Sequence, residues 1–326
     1  MEMFWQIVVA VFIVLLSALA ILKVYLDSIK GKCTSSTDLS GKVAIVTGAN
    51  TGIGYFTALD FARRNARVIL ACRDLVKGQE AVEKIRGQTG NTDNVVIKLD
   101  LSLMKSVREF AEQINKQEAR LDILVNNAGM AGLPLTKTDE GFEVMYATNH
   151  FGHFLLTNLL LGLLKKSQPS RIVNVSSMAH RWSKGIDFDN LKAEKSYSIT
   201  DTYFSSKLAN ILFTRELARK LEGTGVQMTL CAVHPGLVQT QLLRHLPLHL
   251  KVLEVIITYF WKTAEEGAQT SIYCSVSEDL EGVSGKYYVD CQEAEDQSSD
   301  LSKDMGLAKK LWEISEKYTG LAEQEN

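Results

Sequence analysis

From Gly41 onward, short runs of β-branched and apolar residues alternate with longer stretches of helical period, and few architectures accept that order. The runs are VAIVT, RVILA, NVVIKL, LDILV, RIVNVS and VQMTLCAV. Each is nearly continuous in apolar residues, which marks a strand covered on both faces. Strand–helix–strand repetition with right-handed crossovers predicts an α/β fold, a doubly wound parallel sheet of Rossmann-like type. With KYYV, Lys286 to Val289, as the last candidate, the sheet has about seven strands. No repeat of fixed period and no Pro/Gly-rich linker divides the region. Residues 41–300 therefore read as one domain, and 301–326 as a C-terminal helix and tail.

Ahead of this domain, Phe4 to Leu22 runs nineteen residues without a charge, enough helix to cross about 30 Å of hydrocarbon. Residues 1–25 read as a transmembrane anchor. Residues 26–40, which take in most of CTSSTDLSG (Cys33 to Gly41), read as its linker. A cleaved signal peptide, using Ala18-Leu19-Ala20, and a buried core helix are the rivals. Against cleavage, the first residues carry Glu2 and no lysine, and the apolar run continues through ILKVYL past that point. Lys23, Lys30 and Lys32 follow the span and only Glu2 precedes it, so charge asymmetry places the rest of a single-pass protein in the cytosol. The five cysteines, Cys33, Cys72, Cys231, Cys274 and Cys291, are scattered with no C-x-x-C pair and fit a reducing compartment. A net charge of -2 without long basic runs excludes the electrostatic footprint of a nucleic-acid binder.

The first strand runs into TGANTGIG, Thr47 to Gly54. A glycine turn between a strand and a helix N-terminus lets a pyrophosphate approach the backbone N–H groups. Gly48, Asn50, Thr51, Gly52, Ile53 and Gly54 are the dinucleotide candidates, although the spacing departs from G-x-G-x-x-G and a purely structural turn is the alternative. Where an acidic residue would take the adenosine ribose hydroxyls, this chain has Cys72-Arg73. Arg73 suits the 2'-phosphate of NADP, its other reading being a solvated arginine followed by Asp74. Asp100 after the third strand and Asn126 to Gly129 (NNAG, including Asn127 and Ala128) after the fourth lie at the carboxyl edge where open sheets bind ligands. The first could equally start a helix, and the second could be an ordinary turn.

YFSSK places Tyr203 one helical turn before Lys207. A phenol is a poor acid or base at neutral pH unless its anion is stabilised, and a lysine at this spacing can supply the charge. A surface pair on a helix gives the same string. His150, His153, His180 and His234 show no ligand spacing with cysteines or carboxylates, so no metal site is expected.

Taken together and in order, TGxxxGIG, NNAG, a serine after the fifth strand and Tyr-x-x-x-Lys resemble the short-chain dehydrogenase/reductase family over about Asp38 to Val289. CRD at Arg73, NHFGHF around Asn149, NVSSMAH around Ser177 and HPG at His234 are similar to its membrane-anchored retinol dehydrogenases. The resemblance implies a catalytic tetrad of Asn149, Ser177, Tyr203 and Lys207. Tyr203 would exchange a proton with the substrate oxygen, and Lys207 would bind the nicotinamide ribose and lower the phenol's pKa. Ser177 would hydrogen-bond that oxygen, and Asn149 would hold a water linking Lys207 to solvent. Ser177 suits the pattern better than Ser176. Pro235, Gly236, Val238 and Thr240 would hold the nicotinamide carboxamide.

The expected activity is NADP(H)-dependent interconversion of retinol and retinal, or of a similar lipophilic pair, at the endoplasmic reticulum membrane. A hydroxysteroid or lipid-aldehyde oxidoreductase has the same chemistry, and a non-catalytic cofactor-binding scaffold is the different-class rival. The apolar stretch Leu246 to Trp261 reads as substrate cover, as a core or dimer-packing helix of a homo-oligomer, or as membrane contact.

Overall fold

In the computed structural model, residues 1–238 and 258–321 are described, without the side chains of residues 15 and 16. The chain opens with α1 (Glu2–Ser28). It continues through β1 (Val43–Thr47), α2 (Gly52–Arg63), β2 (Arg67–Cys72), α3 (Leu75–Thr89), β3 (Asn94–Lys98), α4 (Met104–Gln117) and β4 (Ile123–Asn126). A π-helical turn (Ala147–Phe151) leads into α5 (Gly152–Lys166), followed by β5 (Ser170–Val175), α6 (Ile199–Leu221) and β6 (Met228–His234). The remaining main elements are α7 (Ala264–Val276), β7 (Lys286–Val289), β8 (Gln292–Glu293) and α8 (Met305–Thr319).

The strands form one sheet in the order β3-β2-β1-β4-β5-β6-β7-β8. All pairings are parallel except β7 with β8. The strand order reverses between β1 and β4, which opens the crevice where ligands of doubly wound sheets bind. Both faces are buried, as the continuous apolar strands require. Along β1, Val43 and Ile45 join the core beneath α4, α5, α6 and α8, while Ala44 and Val46 join the core beneath α2, α3 and α7.

Three features differ from the sequence reading. An eighth strand follows the expected seven, and its two residues are too few to give a period. Linker residues are hydrogen-bonded along the domain: Gly31 N donates to Asp290 Oδ1 at 3.1 Å, Cys33 N to Gln269 Oε1 at 3.1 Å and Thr37 Oγ1 to the Val276 carbonyl at 2.9 Å. At the other end α8 is part of the core, with Ala308, Leu311 and Trp312 buried and the Trp312 ring 4.9 Å from that of Phe154.

α1 is long and apolar enough to cross a membrane, with a mean hydropathy of 3.0 in its best window and none of that window buried against the domain. Its end is fixed to the domain by Lys30, whose ammonium lies 2.7 Å from Asp27 and 2.8 Å from Glu266 at the start of α7.

Candidate active site

The site is assembled at the carboxyl ends of β1, β4, β5 and β6, beginning with Thr47. Its hydroxyl accepts hydrogen bonds from the backbone N–H groups of Asn127 and Ala128, both at 2.9 Å, while the Asn127 amide donates to the Thr47 carbonyl at 2.8 Å. These bonds lock the NNAG turn onto the glycine turn. Gly48 adopts φ +65, and its N–H donates to the Ala71 carbonyl at the end of β2 at 2.8 Å. Gly54 is required for packing: a Cβ there would lie 2.5 Å from Asn127 Nδ2 and 2.6 Å from the Gly48 carbonyl oxygen. Thr51 is the N-cap residue of α2 and its side chain makes no capping bond, so the first N–H groups of the helix are left for a ligand. Asn50, Gly52 and Ile53 complete this turn. Ile53 and Val238 both crowd Gly267, where a Cβ would stand 2.6 Å from Val238 and 3.3 Å from Ile53.

At the end of β2, Arg73 is exposed and has no hydrogen bond or ion pair among the described residues. Asp74 beside it is engaged as the N-cap of α3, accepting from Lys77 N at 3.1 Å. Asp100 turns its Oδ1 to Ser102, accepting from the backbone N–H at 3.0 Å and the hydroxyl at 2.6 Å. It therefore orders its own turn first.

The π-helical turn presents Asn149, consistent with the concentration of such turns at functional sites. Its side chain is buried and makes three hydrogen bonds. Oδ1 accepts from Met130 N at 2.9 Å, and Nδ2 donates to the Met130 carbonyl and to Ser206 Oγ, each at 3.0 Å. Asn149 thus clamps the loop after β4 to α6. A water bound to its side chain would have to use the second lone pair of Oδ1. Gly129 sits against this clamp, and a Cβ there would lie 3.3 Å from both Asn149 Oδ1 and Lys207 Nζ.

α6 carries Tyr203 and Lys207 on one face. Burial raises the pKa of the half-buried phenol, and a hydrogen bond from the Ser177 side chain opposes that rise. The Lys207 ammonium lies 5.9 Å from the Tyr203 ring centroid and donates to the Val175 carbonyl at 3.1 Å. Desolvation brings its pKa down to about 8. The two serines after β5 differ in role. Ser176 is buried and donates to the Lys207 carbonyl at 2.7 Å, tying β5 to α6, whereas Ser177 faces Tyr203 and accepts from Ala179 N at 3.2 Å. The structure thus gathers Asn149, Ser177, Tyr203 and Lys207 beside the glycine turn.

After β6, Pro235 and Gly236 turn the chain and Val238 pairs with Lys262 in an isolated parallel bridge. Thr240 and most of Leu246 to Trp261 lie outside the described residues.

Several structural partners escaped the sequence reading. His153 joins the two halves of the site: Nε2 is 2.9 Å from Thr47 Oγ1 and Nδ1 is 3.2 Å from the Asn149 carbonyl. Because Thr47 Oγ1 already accepts two N–H groups, its own proton serves His153 Nε2, leaving Nδ1–H to donate to Asn149. Burial holds the imidazole neutral, its pKa brought down to about 3. His180 similarly links the Ser177 carbonyl, 2.7 Å from Nδ1, to Ser299 N, which donates to Nε2 at 3.1 Å. Lys262, buried beneath Gly236, pairs with Asp290. His153 and His180 had a visible signal, their places in NHFGHF and NVSSMAH; the bonds to Thr47 and Ser299 and the Lys262 pair depend on contacts distant in sequence.

The sequence pattern of the short chain dehydrogenases matches residues 42–250. The chain belongs to that family and, within it, to the retinol dehydrogenase branch, which makes it an oxidoreductase. Retinol dehydrogenase 12 of Homo sapiens is 50% identical over 291 residues, covering 89% of this chain and 90% of that protein. A crystal structure of a putative uncharacterized protein from Mycobacterium Paratuberculosis has a TM-score of 0.73 at 34% identity, covering 89% of this chain and 98% of the other. The Pseudomonas aeruginosa RhlG/NADP active-site complex has a TM-score of 0.61 at 27% identity, with 77% and 94% covered.

Proposed function

We propose that this protein is a membrane-anchored, NADP(H)-dependent oxidoreductase that interconverts retinol and retinal, or a closely similar lipophilic alcohol and carbonyl. The observation that carries the chemistry is the convergence of Ser177, Tyr203 and Lys207 with the Asn149 clamp at the edge of the glycine turn. The substrate class is supported by half-identity to a protein named Retinol dehydrogenase 12 over most of both chains.

The residues present fit the cofactor. At Gly52 a Cβ would meet nothing within 4 Å, so the turn is open there; α2 offers uncapped N–H groups, and Arg73 is an exposed cation with no partner among the described residues where the adenosine end would lie. Gly48, Asn50, Thr51, Gly52, Ile53, Asn127, Ala128, Pro235, Gly236, Val238 and Thr240 complete the proposed cradle, with Asp100 beside it. Bound there, NADPH supplies a hydride and NADP accepts one.

In the reduction, the Ser177 hydroxyl orients the carbonyl oxygen and Tyr203 gives it a proton. In the oxidation, Tyr203 takes the proton from the hydroxyl. The positive charge of Lys207 favours the phenolate left after donation, and its ammonium would also hold the ribose. Asn149 keeps both walls in register and, through a water on its free lone pair, would pass the proton toward solvent. α1 would span the endoplasmic reticulum membrane with the domain in the cytosol, following the lysines after the span.

The test compares kcat/KM for all-trans-retinal, a steroid ketone and glyceraldehyde, each with NADPH and NADH. Retinal with NADPH is the expected best pair. Arg73→Asp should shift preference toward NADH by about tenfold or more, since it removes an attraction and adds a repulsion. A faster steroid ketone would reject the retinoid reading, and a wild-type preference for NADH would reject the role of Arg73.

A further inference from the structure

A cavity of about 510 Å³ lies between the end of α1 and the carboxyl ends of β6 and β7, within the range of small-molecule sites. Leu26, Ile29 and Lys30 form one wall, Phe260 and Trp261 another, and Met178, Gly236 and Leu237 border it on the active-site side. Met178 directly follows Ser177. Neither Ser177 nor Tyr203 lines the cavity, so it adjoins the place of reaction without being it. The Lys30 and Lys262 ammonium groups at its edge are paired with Glu266 and Asp290, leaving their methylene stems toward an apolar space.

The surface around this cavity is unlike that of a water-facing domain. Tyr25 is 60% exposed, Ile29 54%, Leu237 52% and Tyr259 57%. Lys23 lies over the Tyr259 ring, 5.3 Å from its centroid. Aromatic rings beside lysines at the end of an apolar helix are the composition of a membrane–water interface. Helix and domain are also fastened together here by Lys30 with Glu266 and by Gly31 with Asp290, so the orientation of α1 determines which face meets lipid.

We propose that this cavity is an entry site for the lipophilic substrate, opening at the bilayer surface, with the last turn of α1 as part of its wall. A long apolar molecule with one terminal oxygen would move from the lipid past Leu26, Ile29 and Trp261 and present that oxygen beyond Met178 to Ser177, its tail remaining in the cavity. α1 is then part of the binding site as well as an anchor. The inference rests on the proposed lipophilic substrate but does not require that it be a retinoid.

The test reconstitutes the full chain in phosphatidylcholine vesicles with NADP and photolyses a long-chain fatty alcohol carrying a diazirine at its tail, followed by peptide mapping. Label is expected on Leu26 to Lys30 and on Phe260 or Trp261, and excess all-trans-retinol should suppress it. Ile29→Glu, at a half-exposed position, should reduce that labelling several-fold with the melting temperature and NADPH affinity unchanged. Suppression by the unlabelled fatty alcohol but not by retinol would support the entry site while rejecting the retinoid reading. Label confined to Phe4 to Leu22, or unaffected by both competitors, would overturn the entry site.

Discussion

Tyr203→Phe is expected to reduce turnover by about 10³-fold or more while leaving NADPH affinity and melting temperature near those of the wild type. The substitution removes one hydroxyl from a ring that packs against Phe204, their centroids 6.3 Å apart. The phenylalanine ring can occupy the same place. What is lost is the only proton-transfer group proposed to touch the substrate oxygen, because Ser177 orients that oxygen and Lys207 acts through its charge. Single-turnover kinetics with saturating NADPH would check this by separating the chemical step from binding. Retention of a tenth or more of the activity would mean that another group transfers the proton.

Replacing Lys207 should produce an unusual combination. Lys207→Met is expected to lower kcat by about 10²-fold or more and to weaken NADPH binding, yet to raise the melting temperature of the cofactor-free protein at neutral pH. Burial lowers the Lys207 pKa from 10.5 in the unfolded chain to about 8. Between those values the unfolded state binds the proton more tightly, so the wild type gains stability as pH rises from about 8 to 10.5 and loses it on the way down. Below about 8 the full cost of the buried charge is present. Methionine removes that cost, and the Val175 carbonyl keeps the Asn210 amide, 3.1 Å away, as a donor. The stability gain should therefore shrink as pH is raised through this window. Thermal melts of both proteins across the range would show it, and equal melting temperatures at all pH values would mean that the ammonium is not desolvated as described.

The fold was legible where strands are short, apolar and regularly separated. β1 to β7 fall on runs visible in the sequence because strands covered on both faces are predominantly apolar. The two-residue β8 left no such trace, and the docking of residues 29–38 was hidden because a Ser/Thr-rich stretch pairs with the domain through scattered polar groups.

At the site, Tyr203, Lys207 and Ser177 could be named because short motifs carry them. The partners that hold them could not. Thr47 and His153 are 106 positions apart, and His180 meets Ser299 across 119. Such pairings depend on how the strand ends converge. Asn149 shows the same limit: its position was apparent, but its clamp on Met130 and Ser206 required the π-helical turn.

The central claim is that this chain reduces a lipophilic carbonyl with a hydride from NADPH at the Tyr203 site. It is tested most directly by incubating the full-length protein in vesicles with all-trans-retinal and NADPH deuterated at the transferable position, then analysing the product by mass spectrometry. Retinol carrying one deuterium at its alcohol carbon is expected from the wild type, with almost none from Tyr203→Phe. Failure of the wild-type protein to form deuterated retinol, or equal formation by both proteins, would contradict the account.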